Sequence, residues 1–295
     1  MSGGPHCRSR AAGLAVFAVK VLVLLGLSVG AVFADPGEPP ALVRTIPLPA
    51  VTGRIDHLAL DTTGARLFVA ALGNDTIEVV DLQAGRVTRT IPGLTEPQGV
   101  VFAPGLNRLF VANGGDGTLR VFDGTTLSPV ATVKFSGDAD NVRYEIPSQR
   151  IYVGYGDGAL GVVNATNNTV AANIPLGVHP ESFQLERSGG RIFVNLPGAH
   201  QVAVIDGARQ KVTGTWTTGF LGHNFPMALD EANQRLFVGC RLPAHLLEFD
   251  TSSGRELARL ELHGDCDDLF LEAARHQIYV SCGEGYIDVF AQTGT

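Results

Sequence analysis

The 295-residue sequence lacks most of the motifs that announce a chemistry. There is no Cys-x-x-Cys-His, no Walker loop and, after residue 34, no Gly-x-Ser-x-Gly elbow, which argues against covalent haem attachment, P-loop nucleotide chemistry and a nucleophile-elbow hydrolase. No Cys-x-x-Cys spacing is present, so the common structural zinc layouts are absent too. Positive charge is scarce: 22 Lys and Arg against 29 Asp and Glu give a formal net charge of −7 without a basic run. That balance argues against nucleic-acid binding. After residue 34 no stretch is apolar enough to cross a bilayer. After residue 35 no helical periodicity of useful length occurs.

A repeat is what the chain does have. Arg66-Leu67-Phe68-Val69 returns at Arg108, Arg150, Arg191 and Arg235, and in weaker form at Gln277, with spacings of 42, 42, 41, 44 and 42 residues. A fixed period of this size marks a repeat architecture. Each copy reads as four short strands: an apolar strand such as Leu58-Ala59-Leu60, the signature strand, an alternating strand after a Gly/Asn/Asp turn, and a fourth such as Arg86 to Ile91. The third strand ends at Asp81, Asp123, Asn164, Asp206 or Asp250, where a short polar side chain can bond the backbone two residues on and start a turn. Four strands per ~40–45 residues is the unit of a β-propeller blade. The expected fold is therefore all-β, a propeller of six four-stranded blades. The last repeat stops after its third strand, Tyr286 to Phe290, and Leu42 to Leu48 reads as the N-terminal strand that closes the last blade.

The repeat resembles the YVTN-type (YncE-like) β-propeller family, through the signature strand, the Gly-Asp-Gly turn and the terminal Asp, as in Gly117-Thr118-Leu119-Arg120-Val121-Phe122-Asp123. The resemblance spans residues 42 to 290. It implies a propeller, often of seven blades, and an exported location. Against a seven-bladed family, this chain is either a true six-bladed ring or one repeat short.

The first 34 residues read as a secretory signal peptide: Arg8, Arg10 and Lys20 precede an apolar Val21 to Val29, and Val32-Phe33-Ala34 offers a cleavage site before Asp35. The alternative is an uncleaved anchor over Ala11 to Ala34, long enough to span but interrupted by Lys20. Residues 35–41 form a Pro-rich linker, and 42–295 a single propeller domain. The expected location is periplasmic or secreted, with no transmembrane segment after cleavage and a monomeric state.

The candidate site comes from aligning the repeats on their signature residues. Ten and nine positions upstream lie Asp56-His57, Gln98-Gly99, Asp140-Asn141, Glu181-Ser182, Phe225-Pro226 and Asp267-Asp268, with His179, His223, Asn224, His263 and Asp265 close by. The column is polar in five of six repeats and different in each. Unlike polar groups around one channel mouth are how a propeller builds a small-molecule or ion site. The ligand set predicted for the mouth is Asp56, His57, Gln98, Asp140, Asn141, Glu181, Asp267 and Asp268. Asp56, Asp140, Glu181 and Asp267 are candidates for a divalent cation: calcium for all-oxygen ligation, zinc if histidine joins. The competing reading is a wet channel whose polar residues only satisfy strand-start backbone groups. The function expected is a binding or interaction module for a small polar ligand or an unidentified protein, with a metal-dependent hydrolase or lactonase, or a structural envelope protein, as alternatives.

Three cysteines remain after the leader. The turn of the last repeat's first hairpin centres near Ala274, which places Cys266 opposite Cys282, within disulfide reach. The rival pairing is Cys240 with Cys266 across neighbouring blades.

Overall fold

A computed structural model describes residues 6–9, 41–187 and 190–292. It contains six four-stranded sheets arranged as the blades of a propeller, with no α-helix among the described residues. Blade 1 is Leu58–Asp61, Arg66–Ala71, Thr76–Asp81 and Arg86–Ile91, and the next four blades repeat this antiparallel order. Inner strands of successive blades lie side by side around the axis. Outer strands such as Arg86–Ile91 are largely exposed.

The signature strand explains its own recurrence. Its aromatic third residue, Phe68, Phe110, Tyr152, Phe193 or Phe237, is at most 2% exposed and inserts into the core shared with the following blade. A single sheet cannot cover both faces, so each blade borrows its cover from a neighbour. In blades 1 and 4 the signature Arg reaches the same neighbour. Arg66 donates to the Gly124 carbonyl of blade 2 at 2.7 Å, and Arg191 to the Thr251 carbonyl of blade 5. The Asp at the end of the third strand starts the expected turn: Asp123 Oδ1 accepts from the Thr125 and Thr126 amides at 3.0 and 2.9 Å, and Asp250 Oδ1 from Ser252 and Ser253 at 3.0 and 2.8 Å.

Asp61 anchors the first blade. Its buried carboxylate accepts from the Thr63 and Gly64 amides, the Thr63 hydroxyl at 2.6 Å, and Arg66 Nε and NH2 at 2.9 and 2.7 Å. Burial pushes its pKa up, but these donors and the Arg66 charge outweigh burial and hold it below the usual range. The sign follows: this stability is complete above the unfolded value of about 3.9 and is lost as pH falls through the depressed folded value. Asp61→Ala is expected to cost about 2–3 kcal/mol at pH 7. In urea titrations the gap to wild type should shrink by pH 3; a gap that stays constant with pH would exclude the ionised carboxylate as its source.

The closure of the ring differs from expectation. The sixth blade does take its fourth strand from the N-terminal side, but from His6–Ser9, which runs parallel to Tyr286–Val289. Leu42 to Leu48 forms no strand. Leu42 and Val43 stand exposed, and Arg44 bonds the carbonyls of Leu82 and Gln83 on blade 1 at 3.2 and 3.4 Å. Pro47 and Pro49 remove the amides a ladder needs. Asn74 then fixes the following turn by accepting from Thr52 and Gly53 and donating to the Ala50 carbonyl. The segment is thereby tied to blade 1 rather than to the outer edge of blade 6. The segment read as the leader's apolar core lies outside the described residues.

The junction between blades 6 and 1 is also the least packed. Leu58 is 44% exposed, whereas its counterparts Val100, Val142, Phe183, Met227 and Leu269 are 0–6% exposed. Ile287 is 38% exposed, against 0–2% for Ile77, Leu119, Leu160, Val202 and Leu246. Phe270 and Leu60 are more than half exposed.

Candidate functional site at the channel mouth

The column positions converge. Asp56, His57, Gln98, Asp140, Asn141, Glu181, Asp267 and Asp268 all line one cavity of about 350 Å³ at the end of the channel. The backbone explains why. In blades 2, 3, 5 and 6 the register of the inner strand shifts at the column, between Pro97 and Val100, Ala139 and Val142, Asn224 and Met227, and Cys266 and Asp268. A bulge there frees residues from the ladder and re-aims their side chains. Gly99 is part of the same device: a Cβ there would lie 2.1 Å from the Asp140 carbonyl oxygen, so blade 2 can approach blade 3 only without one.

Three groups draw together. One ligand atom each from Asp140, His179 and Glu181 lies within 4.8 Å of the other two. His179 Nδ1 is 2.7 Å from the carbonyl of Gly156, which sits at φ +58° and presents its backbone to the ring. Donation from Nδ1 to that carbonyl leaves Nε2 facing Asp138 and Asp140, 3.9 Å from each. Metal-bound histidines are oriented in this way by a bond from their other nitrogen. Next to the cluster, the side chain of Asn141 is buried and its Oδ1 has no hydrogen-bond partner among the described residues.

Carboxylates are concentrated at the mouth, with Arg54 and Arg241 in the same wall. Burial, then the neighbouring Asp140 charge, pushes Glu181 up to about 8. The Asp140 carboxylate raises His179 to about 9. Asp140 itself is pushed up by burial, but the imidazoles of His179 and His57 prevail and hold it below its ordinary value. Burial raises Asp56, Asp138 and Asp268 as well. Carboxylates crowded in this way favour a cation among them.

Of the four predicted metal carboxylates, only Asp140 and Glu181 belong to this cluster. Asp56 is paired with Arg54 at 3.2 Å and lies 3.8 Å from His57. Asp267 is taken by Arg241, whose Nε also donates to the Cys266 carbonyl at 2.8 Å. An arginine already bound to Asp267 removes that oxygen from the candidate set, and His179 takes its place.

Comparison with known proteins adds the fold. No protein-family model matches the chain, and no curated protein matches it. A solved structure does. The chain is similar to hydrazine synthase of Kuenenia stuttgartiensis, with a TM-score of 0.70 and 16% identity over 80% of this chain and 83% of that one. At that identity the likeness concerns the propeller alone.

Sequence reasoning missed Arg54, Asp138 and Arg241 in the cavity wall, and noted His179 only as a neighbour of the column. A signal for most of them existed. In an extended strand, alternate residues share a face. Two positions further upstream the repeats read Arg54, Glu96, Asp138, His179, His223 and Asp265, again polar and unlike. Arg241 has no such signal, since it lies beyond the common length of the signature strand.

The thiols follow the register but form no bridge. Cys266 is the cross-strand partner of Cys282, yet Cys240, Cys266 and Cys282 are all free and buried. The sulfurs diverge: Cys282 Sγ turns to the Val280 carbonyl and Asp288, at 3.8 and 3.9 Å, while Cys266 Sγ faces blade 5 at Gly239. Burial pushes all three up to about 12, so none is a ready thiolate.

Proposed function

We propose that the chain is an exported binding module that holds a divalent transition-metal ion, of the zinc class, at Asp140, His179 and Glu181, and presents it to a small polar ligand at the channel mouth. The observation that carries this reading is His179: its Nδ1 is held by the Gly156 carbonyl, and its Nε2 faces the Asp140 carboxylate with Glu181 in the same cluster, so that a metal ion would replace the ring's proton between them. One imidazole and two carboxylates suit zinc better than calcium, which prefers oxygen alone. A tetrahedral ion would draw the three donors in by roughly 1 Å. Metal analysis after dialysis against zinc should find about one ion per chain. Asp140→Ala or His179→Ala should weaken zinc binding by about 100-fold or more. Absence of bound zinc in wild type, or binding that both variants retain, would refute the reading.

Export is supported by the basic start and apolar run before Asp35, and the repeat motif supports kinship with YVTN-type propellers. Cleavage before Asp35 would also remove His6–Ser9 and expose the edge of Tyr286–Ala291. The intact mass of protein from its own host, counted from Asp35 or from Met1, tests this.

A second reading has one specific observation behind it. Three protein ligands leave a coordination position open, the arrangement of catalytic rather than structural zinc sites. Ester or lactone turnover that disappears in both Asp140→Ala and His57→Ala would shift the function from binding to metal-assisted hydrolysis.

A further inference from the structure

The acidic cavity does not end at the metal candidate. His179, Glu181 and Phe225 also line a second, larger hollow of about 620 Å³, whose other walls are largely apolar: Phe220, Leu242, Pro243 and Pro197 with the rings of His200 and His223. The wall has a structural origin. The inner strand of blade 5, Gly222–Asp230, is nine residues long and its partner Arg235–Leu242 eight, and they stay paired to Gly222 opposite Leu242. In blades 1 to 4 the inner strand is at most seven residues and the signature strand six. The longer hairpin ends at Leu242, and Phe220 lies in the turn just before it; both are exposed. It corresponds to the 44-residue spacing between Arg191 and Arg235, the longest in the series.

The same blade breaks the polar column. Phe225 and Pro226 stand where the other five repeats carry polar residues, and Phe225 borders both hollows. Its ring is held in place by the Arg241 guanidinium, 4.2 Å from the centroid, and its backbone carbonyl accepts from buried Asn195 at 2.9 Å. His223 lies against it with centroids 5.7 Å apart, and His200 Nδ1 is fixed 3.2 Å from the Leu221 carbonyl. Flat side chains thus line a slot-like hollow that shares His179 and Glu181 with the carboxylate and imidazole cluster. Phe220 and Leu242, exposed by 70% and 66%, gain nothing where they are from the ring's own core. Large apolar side chains beside a polar cluster mark a ligand-binding hollow.

We infer that this slot receives the aromatic body of a small ligand whose oxygen-bearing head group sits at Asp140, His179 and Glu181. The inference rests on the metal reading above and adds the ligand class: an aryl compound with a chelating acid or hydroxamate-like head, rather than a bare inorganic ion or a sugar.

The test uses the full chain loaded with zinc, with zinc uptake measured first by titration calorimetry. Benzohydroxamate and acetohydroxamate are then titrated; they share a chelating head and differ in the ring. Benzohydroxamate should bind about tenfold more tightly, a difference of about 1.4 kcal/mol. Phe220→Ala combined with Leu242→Ala should reduce that preference to within about twofold while leaving zinc and acetohydroxamate affinities unchanged. Both residues are exposed, so the variant should keep the wild-type melting temperature. If zinc binds but the two hydroxamates bind equally, or if the double variant keeps the preference, the slot has no such role and the metal site stands alone. If zinc fails to bind, the metal reading falls at the first step and this inference with it.

Discussion

Phe110→Ala is expected to destabilise the protein by about 3–5 kcal/mol, lowering the melting temperature by roughly 10 °C. The ring is fully buried and sits among Ala112, Leu119, Val121, Val142, Ile151 and Val153, so it joins blades 2 and 3 rather than filling one sheet. Removing it leaves a cavity between two sheets that are each stiffened by their own ladders, and such a junction collapses poorly. The loss should therefore lie in the upper part of the range for large-to-small substitutions. Val130→Ala, on the exposed outer strand of the same blade, should change stability by less than about 0.5 kcal/mol. Denaturant titration of both variants measures the contrast. Comparable small losses would mean that the signature aromatic is not the wedge between blades.

The same residues show why the fold was legible. The period is visible in sequence because each blade has to solve one problem, covering its forward face with the next blade, and blades 1, 2, 4 and 5 carry the same aromatic, Arg and turn Asp, with Asn164 in place of that Asp in blade 3. The mouth was legible for the opposite reason. A column in register with the repeat but unlike from copy to copy cannot be packing, and the bulges that turn Gln98, Asp140 and Asp267 inward occur at that column.

What escaped the sequence depends on contacts that have no period. Whether Asp267 is free for a ligand is decided by Arg241, which comes from the extended hairpin of the neighbouring blade. Leu42 to Leu48 is kept from pairing by Pro47 and Pro49, which the sequence shows, but its place against blade 1 comes from Arg44 bonding two carbonyls there, which the apolar pattern of the segment does not encode. The looser junction at Leu58 and Ile287 is likewise a property of ring closure. Blades 1 and 6 carry the same apolar residues as the rest; the geometry of the ring leaves these uncovered.

The steepest effect expected of the site is its dependence on pH. In the metal-free protein Glu181 is raised to about 8 by burial and Asp140, and His179 to about 9 by the same Asp140. Both must lose a proton to bind zinc, so each ion bound below pH 8 releases nearly two protons. Zinc affinity should then fall by about three to four orders of magnitude between pH 8 and pH 6. The stability of the metal-free protein should move the other way. A raised histidine contributes stability that is full below its unfolded value of about 6.5 and lost as pH rises through 9. A raised carboxyl is neutral in the fold and becomes costly between its unfolded value of about 4.3 and its folded value of about 8. The two add, so metal-free protein weakens from mildly acid to alkaline pH, and zinc removes the penalty by supplying the missing positive charge. The rise in melting temperature on adding zinc should accordingly be small at pH 6 and large at pH 8. Calorimetric titrations in buffers of different ionisation enthalpy count the released protons directly. A count near zero at pH 7, with affinity flat from pH 6 to 8, would show that Glu181 and His179 do not hold the ion.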